Sequence, residues 1–238
     1  MKLIEVKNLV KSFGENKVLD RVGIEVHSGE SIAIVGPSGA GKSTILRILA
    51  GLDDPDSGEV EINTEKLSMV FQYSALLNSY TVGENVALAL HKMKISQKEK
   101  IEIAHEKLKL VGLEKFINSF PDDLSGGQKK RVGFARAIAN DPELILYDEP
   151  TAGLDPVLST LIENYIMKLT EKLNVASIVV THHLSTIQRT SSRVLLLFAG
   201  KFVFEGTLKE FDETNNPYVK QFVNASVEGP MLSQLHEI

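Results

Sequence analysis

The stretch Gly36-Pro37-Ser38-Gly39-Ala40-Gly41-Lys42-Ser43-Thr44 decides the fold of this chain, because it matches the pattern G-x-x-x-x-G-K-[ST]. The apolar run at residues 31–35 predicts a buried strand before it, and residues 42–50 predict a helix after it. Strand, glycine-rich turn and helix are the setting in which this motif binds nucleotide phosphates. Glycines let the backbone approach the phosphates, and the N–H groups at the helix start face the negative charge.

The nine residues of this loop are predicted to bind the phosphates of a nucleotide: Gly36, Pro37, Ser38, Gly39, Ala40, Gly41, Lys42, Ser43 and Thr44. Lys42 is placed to reach the β- and γ-phosphates, and the Ser43 hydroxyl is placed to ligate Mg²⁺. The motif therefore predicts a bound nucleotide and Mg²⁺, and the family resemblance described below implies that the nucleotide is ATP. A chance glycine-rich turn is the alternative, and the flanking strand and helix argue against it.

The composition restricts the class of protein. The 238 residues fit one large domain, or one domain with a subdomain, because single cores stop growing at about 250–300 residues. A net charge of −5 argues against a nucleic-acid partner, and the absence of cysteine excludes disulfides and thiolate metal sites. No apolar run approaches the roughly 20 residues of a membrane-spanning helix, and the charged start of the chain is unlike a signal peptide.

The patterning along the chain predicts an α/β fold with two β layers. Residues 1–30 alternate apolar and polar positions, which predicts an antiparallel β subdomain ahead of the phosphate loop. Continuous apolar runs are expected in a mostly parallel core sheet that is flanked by helices. Such runs occur at residues 69–71, 144–147 and 177–180. The runs at residues 194–198 and 201–204 are predicted to form a hairpin at the end of the sheet.

An α-helical subdomain is predicted as an insertion at about residues 73–140. Residues 83–118 have a helical pattern in which Ser96 and Glu99 form a capping box, and a second helix is predicted from Ser125 to Ala139. We therefore expect one nucleotide-binding domain over residues 1–225. Residues 226–238 show little pattern and are expected to form a C-terminal tail.

Two adjacent carboxylates follow the apolar run at residues 144–147. In open α/β sheets, ligands bind at the carboxyl ends of the strands, so Asp148 and Glu149 are expected to lie near the phosphate loop. Asp148 suits the Mg²⁺ shell, directly or through water. Glu149 is placed to accept the proton of an attacking water. A solvated Asp-Glu pair is the alternative, and the preceding phosphate loop argues against it.

A second glycine-rich segment, Leu124-Ser125-Gly126-Gly127-Gln128, opens the predicted second helix. Ser125 and Gln128 have capping-box spacing, so a simple helix cap is one interpretation. Two glycines at a helix start cost about 1 kcal/mol each relative to alanine. They are better explained where the backbone must approach an anion.

With this segment between the phosphate loop and the Asp-Glu strand, the chain resembles the ATP-binding-cassette (ABC) family over nearly its whole length. The resemblance implies a P-loop NTPase fold and ATP hydrolysis. It implies that Ser125, Gly126, Gly127 and Gln128 cover the γ-phosphate of ATP held by the phosphate loop of a second copy. The expected assembly is therefore a head-to-tail homodimer with two ATP molecules at its interface.

The same resemblance assigns roles to four further residues. Gln72 is expected to contact Mg²⁺ and the attacking water, and His182, followed by His183 where many relatives carry Asp, is expected to contact the γ-phosphate. Phe13 is expected to stack on adenine, and Asp155 to join the two sites across the dimer as well as to cap a helix. The predicted catalytic residues are thus Glu149, His182, Lys42 and Gln72, and the predicted metal ligands are Ser43, Gln72 and Asp148. The basic segment 129–131 is predicted to be a solvated helix face.

Two segments resemble one branch of the family, the cassettes of Mce/Mla-type phospholipid transporters: residues 70–86 and residues 221–230. That resemblance implies phospholipid transport between membranes, powered through integral membrane permease subunits and accompanied by lipid-binding periplasmic or Mce-type subunits. It also implies that the C-terminal tail touches the partner protomer. The chain is then expected in the cytoplasm, peripheral on the inner membrane.

Three alternatives remain open from the sequence. The chain could serve an ABC importer or exporter of another cargo, such as an amino acid or a lipoprotein. It could be a soluble ABC ATPase without a transport role, although such proteins usually carry two cassettes or a long coiled-coil insert. A generic P-loop kinase or GTPase is the third alternative, and it predicts no Leu-Ser-Gly-Gly-Gln segment.

Overall fold

The computed structural model describes residues 1–233. Within that range the strands are β1 (Lys2–Phe13), β2 (Asn16–His27), β3 (Ser31–Val35), β4 (Ser57–Ile62), β5 (Leu67–Val70), β6 (Leu144–Asp148), β7 (Ala176–Val180), β8 (Arg193–Phe198) and β9 (Lys201–Thr207). The α-helices are α1 (Lys42–Leu49), α2 (Val82–Ala87), α3 (Gln97–Leu110), α4 (Gly126–Ala137), α5 (Pro156–Leu173), α6 (Leu184–Thr190), α7 (Leu208–Glu213), α8 (Pro217–Val223) and α9 (Pro230–Ser233). Single 3₁₀ turns occur at Leu88–Leu90, Glu114–Phe116 and Pro121–Asp123.

The core is a six-stranded sheet in the order β5-β6-β7-β3-β8-β9. The first five of these strands pair in parallel, and β9 pairs antiparallel with β8 as the predicted hairpin. All residues of β3, β6 and β7 are buried, because helices and the second sheet cover both faces. Parallel pairing brings the carboxyl ends of β3, β6 and β7 to one edge, where the predicted site residues begin.

A three-stranded antiparallel sheet in the order β2-β1-β4 covers one side of the core. The alternation in β1 and β2 turns one face inward, where Leu3, Ile4 and Val6 pack in the same cluster as Ile45 and Leu46 of α1. The predicted fold class, with a mostly parallel core sheet, an antiparallel β subdomain and an inserted helical part, is confirmed.

The inserted helical region is less continuous than the sequence pattern suggested. Residues 83–118 form α2 and α3 with 3₁₀ turns after each, because a second capping box at Thr81 starts α2 and the predicted box at Ser96 starts α3 anew. Gly112, with φ of 68°, follows the C-cap of α3 and ends that helix as predicted. The helices α2, α3 and α4 share one apolar cluster with β6 and α5, so the insertion packs on the core sheet.

The described part of the C-terminal tail folds onto its own protomer. The sequence showed little pattern after Ser226, yet α9 forms there and Met231 is buried against the core strand β8 and helices α7 and α8. The Gln221 side chain donates to Ser226 O (3.2 Å) and accepts from Met231 N (2.8 Å), which holds this turn together. Residues 234–238 of the predicted tail lie outside the described residues.

Candidate active site

The phosphate loop links β3 to α1 and depends on three glycines with positive φ. Gly36 has φ of 146°, Gly39 has 79° and Gly41 has 102°. A Cβ atom at Gly36 would lie 2.2 Å from the carbonyl oxygen of Leu197 on β8, closer than real Cβ contacts allow. The backbone therefore passes the neighbouring strand at a distance that only glycine permits.

Lys42 lies buried at the first position of α1, with its side chain folded back across the loop. Its Nζ atom donates to the carbonyl oxygens of Gly36 (2.8 Å) and Pro37 (2.9 Å). Burial lowers the pKa of the Lys42 amine, although the Glu149 and Asp148 carboxylates oppose the shift. The loop thus holds a cation at its centre, as binding of an anionic phosphate requires.

Ser43 and Asp148 are joined across the sheet edge. The Ser43 hydroxyl donates to Asp148 Oδ1 over 2.8 Å, which connects the start of α1 to the end of β6. Burial raises the pKa of the Asp148 carboxyl, while the Ser43 hydrogen bond acts against that shift. A hydroxyl and a carboxylate are the hard oxygen ligands that Mg²⁺ prefers, so this pair fits the predicted metal.

Glu149 follows β6 in a strained backbone conformation. Its φ of 46° is uncommon for a residue with a long side chain, and its N–H donates to Val180 O on β7 (2.9 Å). The carboxylate Oε1 lies 2.8 Å from His182 Nδ1. The other oxygen, Oε2, is buried and has no hydrogen-bond partner among residues 1–233. Strain and unmet acceptors of this kind cluster at functional sites.

Gln72 lies two residues beyond β5, on the far side of the same sheet edge. It faces a cleft of about 330 Å³ that it shares with Gly126 and Lys130 at the start of α4. In the described part of the chain, no hydrogen bond joins Gln72 to Ser43 or Asp148. The structure therefore brings Lys42, Ser43 and Asp148 into one connected group and leaves Gln72 separate from it.

Ser125 caps α4 as the sequence predicted. Its Oγ accepts from Gln128 N (3.3 Å), and Gln128 Oε1 accepts from Ser125 N (2.8 Å). The two glycines between them have different surroundings. A Cβ atom added at Gly127 would lie 2.9 Å from a Leu158 methyl group on α5. A Cβ atom added at Gly126 would have no atom of residues 1–233 within 4 Å. Packing on α5 thus explains Gly127 without any anion, and Gly126 faces open space.

Asp155 and Phe13, two further predicted site residues, lie at the start of α5 and at the end of β1. Asp155 Oδ1 accepts from Val157 N (2.9 Å) and Leu158 N (3.0 Å), so the predicted cap of α5 is confirmed. Phe13 ends β1 with 52% of its surface exposed, and Lys11 Nζ lies 5.4 Å from its ring centroid. An exposed ring of this kind is available for stacking.

The prediction that residues 129–131 form a solvated face is wrong for two of the three residues. Lys130 Nζ donates to Ala152 O in the segment after Glu149, and burial lowers the pKa of the Lys130 amine. Arg131 Nη1 donates to Val111 O after α3 (3.0 Å). The reason is that α4 packs between the helical insertion and the core, which helical periodicity alone does not reveal.

Two long-range polar contacts near the site had no signal in the sequence. Arg136 donates from Nη1 to Ala75 O and from Nη2 to Ser74 O, both over 2.7 Å, and holds these left-handed residues just after Gln72. The Glu163 carboxylate on α5 accepts from the Thr186 hydroxyl on α6 (2.7 Å). Each contact joins residues that are more than twenty positions apart.

The fold and the site show which class of protein this chain belongs to, and a family model shows which family. A parallel sheet whose glycine-rich loop opens a helix with a buried lysine is a P-loop nucleotide-binding protein. The chain belongs to the ABC transporter family, because the family model described as "ABC transporter" matches residues 19–152. It is an ATPase of that family.

Curated relatives match almost the whole chain. The chain is 42% identical to the protein TRIGALACTOSYLDIACYLGLYCEROL 3, chloroplastic, of Arabidopsis thaliana, over 96% of this chain and 75% of the relative. It is 39% identical to the probable sulfate/thiosulfate import ATP-binding protein CysA of Chlorella vulgaris, over 92% and 98%. It is 34% identical to the methionine import ATP-binding protein MetN of Lactobacillus johnsonii, over 94% and 70%.

Solved structures agree with the fold. A dimeric, post-hydrolysis structure of the ATP-binding cassette MJ0796 with ADP and Pi has a TM-score of 0.80 and 36% identity, over 87% of this chain and 99% of that one. A second dimeric structure of MJ0796 has a TM-score of 0.81. None of the helices within residues 1–233 combines the length and apolar character needed to cross a bilayer.

Proposed function

We propose that this chain binds and hydrolyses Mg-ATP with Glu149 as the general base. The observation that carries the proposal is the Glu149 carboxylate at the sheet edge where the phosphate loop begins. Its Oε1 atom lies 2.8 Å from His182 Nδ1, and its buried Oε2 atom has no hydrogen-bond partner within residues 1–233. An acceptor with free lone pairs and a fixed orientation is what proton abstraction from water requires.

In this proposal the surrounding residues bind the phosphates, the metal ion and the adenine ring. Lys42 and the loop N–H groups of residues 36–44 hold the phosphates, and Ser43, Asp148 and Gln72 hold Mg²⁺. The metal neutralises charge on the β- and γ-phosphate oxygens when it is bound. His182 orients Glu149 through its Nδ1 contact and contacts the γ-phosphate with the rest of its ring. The ring of Phe13 stacks on adenine.

Replacing Glu149 with Gln tests this assignment. The Glu149→Gln variant keeps the size of the side chain but loses the basic carboxylate, so we expect the ATPase rate to fall by about 10²–10⁴ while ATP binding persists. Steady-state phosphate release and nucleotide binding by calorimetry measure the two effects. Glu102→Gln, at an exposed position of α3, is the matched control and should keep full activity. Near-normal turnover in Glu149→Gln would remove Glu149 from this role.

The active assembly we propose is a head-to-tail homodimer. Ser125 and Gly126 are exposed at the start of α4, and the structural relatives with 36% identity are dimeric. In this assembly, the segment Ser125, Gly126, Gly127 and Gln128 covers ATP bound to the partner copy, and Asp155 lies where the two sites meet. Residues 226–233 of the tail add a contact with the partner protomer.

The permease partner, in our proposal, docks on the segment that follows Gln72. Three large side chains are exposed there: Tyr73 at 85%, Leu77 at 46% and Tyr80 at 40%. Clustered exposed aromatic and aliphatic side chains are typical of protein interfaces. Because Arg136 ties Ser74 and Ala75 to α4, a movement at this surface would be passed to the helix that Ser125 opens. Docking of this kind would hold the chain at the cytoplasmic face of the inner membrane.

Phospholipid is the cargo that we propose, with lipid-binding periplasmic or Mce-type subunits in the complete transporter. The support is the resemblance of residues 70–86 and 221–230 to Mce/Mla-type cassettes, together with a 42%-identical relative named for a diacylglycerol lipid. The import proteins for sulfate/thiosulfate and methionine are the alternatives that the other relatives suggest.

Purification of the intact complex through a tag on this chain tests the cargo. We expect co-purified membrane subunits and bound phospholipid, identified by mass spectrometry, and stimulation of ATPase activity by phospholipid. Stimulation by sulfate or methionine, with no bound lipid, would contradict the lipid assignment and leave the ATPase assignment untouched.

A further inference from the structure

Three metal-ligating side chains converge beside the phosphate loop. Each of Glu149, His182 and His183 offers a ligand atom that lies within 4.8 Å of the other two. The arrangement follows from the sheet, since Asp148 pairs with Val180 and the residues after β6 and β7 therefore lie side by side. The two imidazole rings are 4.3 Å apart between centroids and inclined by 34°.

The Glu149 side chain supplies a second, independent indication of a ligand. The residue is 8% exposed, and its Oε2 atom has no hydrogen-bond partner in the described part of the chain. A buried carboxylate oxygen without a partner is costly unless a cation or a donor meets it. The carboxylate therefore has unused acceptor capacity next to two imidazoles.

The donor set indicates which cation fits. Two imidazoles and one carboxylate are the ligands of many three-ligand zinc sites, in which the fourth position stays open. Mg²⁺ prefers an all-oxygen octahedral shell, so the imidazoles discriminate against it. Zinc–nitrogen bonds of about 2.0–2.1 Å need the ligand atoms closer together than 4.8 Å. Both histidines are exposed, so their rings are free to turn inward.

We propose that Glu149, His182 and His183 form a Zn²⁺ site in the nucleotide-free protein, and that the bound ion inhibits ATP hydrolysis. The inhibition rests on the proposed role of Glu149, because Zn²⁺ occupies the carboxylate lone pairs that would otherwise accept a proton from water. The same ion fixes His182 away from the γ-phosphate. Zn²⁺ and the productive Mg-ATP complex are thus mutually exclusive.

Direct metal binding is the first test. Co²⁺, which adopts the tetrahedral geometry of zinc sites and absorbs visible light, is titrated into the nucleotide-free protein and then displaced with Zn²⁺. We expect the His183→Asn variant to bind Co²⁺ at least about tenfold more weakly than the unaltered chain. His105→Asn, at an exposed position of α3, is the matched control and should bind as the unaltered chain does. Equal Co²⁺ affinity in both variants would overturn the site.

Inhibition is the second test, and it separates this site from the proposed mechanism. His183 is outside the set of residues that bind or act on ATP, so His183→Asn should keep its activity in Mg-ATP. It should need about tenfold more Zn²⁺ for half-inhibition, in line with its weaker binding. If Zn²⁺ binds in a His183-dependent manner and hydrolysis continues at saturating Zn²⁺, the inhibitory mechanism fails, and the Glu149→Gln experiment decides separately whether Glu149 is the base. If no metal binds, the zinc proposal fails while the Glu149→Gln experiment stands independently.

Discussion

Single residues in the phosphate loop are constrained by contacts that reach beyond the loop. Gly36 and Gly39 both have positive φ, at 146° and 79°. Only Gly36 is also closed in by its surroundings, because the carbonyl oxygen of Leu197 occupies the space of a Cβ atom. Within residues 1–233, no atom lies within 4 Å of the corresponding position at Gly39. The motif pattern specifies glycine at position 36 and leaves position 39 open, and the contact with Leu197 gives a physical reason for that difference.

Alanine substitutions at these two positions should therefore differ in cost. Gly39→Ala introduces only the left-handed strain of about 1–2 kcal/mol. Gly36→Ala adds a backbone clash, and we expect a loss of about 3 kcal/mol or more. Urea unfolding without nucleotide measures both free energies. Equal midpoints for the two variants would show that the loop relaxes away from β8.

At the scale of elements, a buried polar group connects the two helices behind the site. The Glu163 carboxylate of α5 is 1% exposed and accepts from the Thr186 hydroxyl of α6, which also lies 3.3 Å from the Thr151 hydroxyl. Arg189 Nε lies 3.4 Å from the other Glu163 oxygen. Thr151 is two residues after Glu149, so this network braces the segment that carries the proposed base.

The Thr186→Val variant tests the strength of that brace. The substitution keeps the shape of the side chain and removes the donor to a buried carboxylate, so we expect destabilisation of about 1–3 kcal/mol. Thr160→Val on α5, whose hydroxyl makes no hydrogen bond within residues 1–233, should change the free energy of unfolding by no more than about 0.5 kcal/mol. Chemical denaturation measures the free energy of unfolding of both variants. Equal losses in Thr186→Val and Thr160→Val would show that the hydrogen-bond network does not stabilise the protein.

At the scale of the whole molecule, the proposed dimer makes each ATP site depend on two copies of the chain. The chain offers a matched pair for testing this, since Ser125 and Ser96 each cap a helix with the same hydrogen bonds. Loss of either cap should cost about 1 kcal/mol of stability. Only Ser125 belongs to the segment proposed to cover the partner's ATP.

Ser125→Ala should therefore lower the ATPase rate by about tenfold or more, because a donor to the γ-phosphate is lost. Ser96→Ala should keep its rate, and in the unaltered chain the rate per protomer should rise with protein concentration as dimers form. Phosphate release across a dilution series measures both. Equal losses in the two serine variants would show that capping, and not a contact across the dimer, accounts for the effect.

The features that could be predicted from the sequence are those whose partners lie a few residues apart. The phosphate loop, the capping boxes at Ser96 and Ser125 and the cap at Asp155 are closed by hydrogen bonds across two to six positions. The strands were predictable for a related reason, because a buried parallel strand must be apolar throughout. The extent of helix within residues 83–118 was overpredicted, since 3₁₀ turns at Leu88–Leu90 and Glu114–Phe116 interrupt it.

The sequence alone thus determined that the chain is a nucleotide-binding protein, the layers of its fold and most of the residues proposed for the site. The reason is that short-range hydrogen bonds and burial patterns depend on residues that are close together in the sequence. The tertiary structure decided the rest. The contacts of Lys130 with Ala152 and of Arg136 with Ser74, and the convergence of Glu149 with the two histidines, join residues 22 to 62 positions apart. Such contacts depend on how helices and strands pack, and no local pattern encodes that packing.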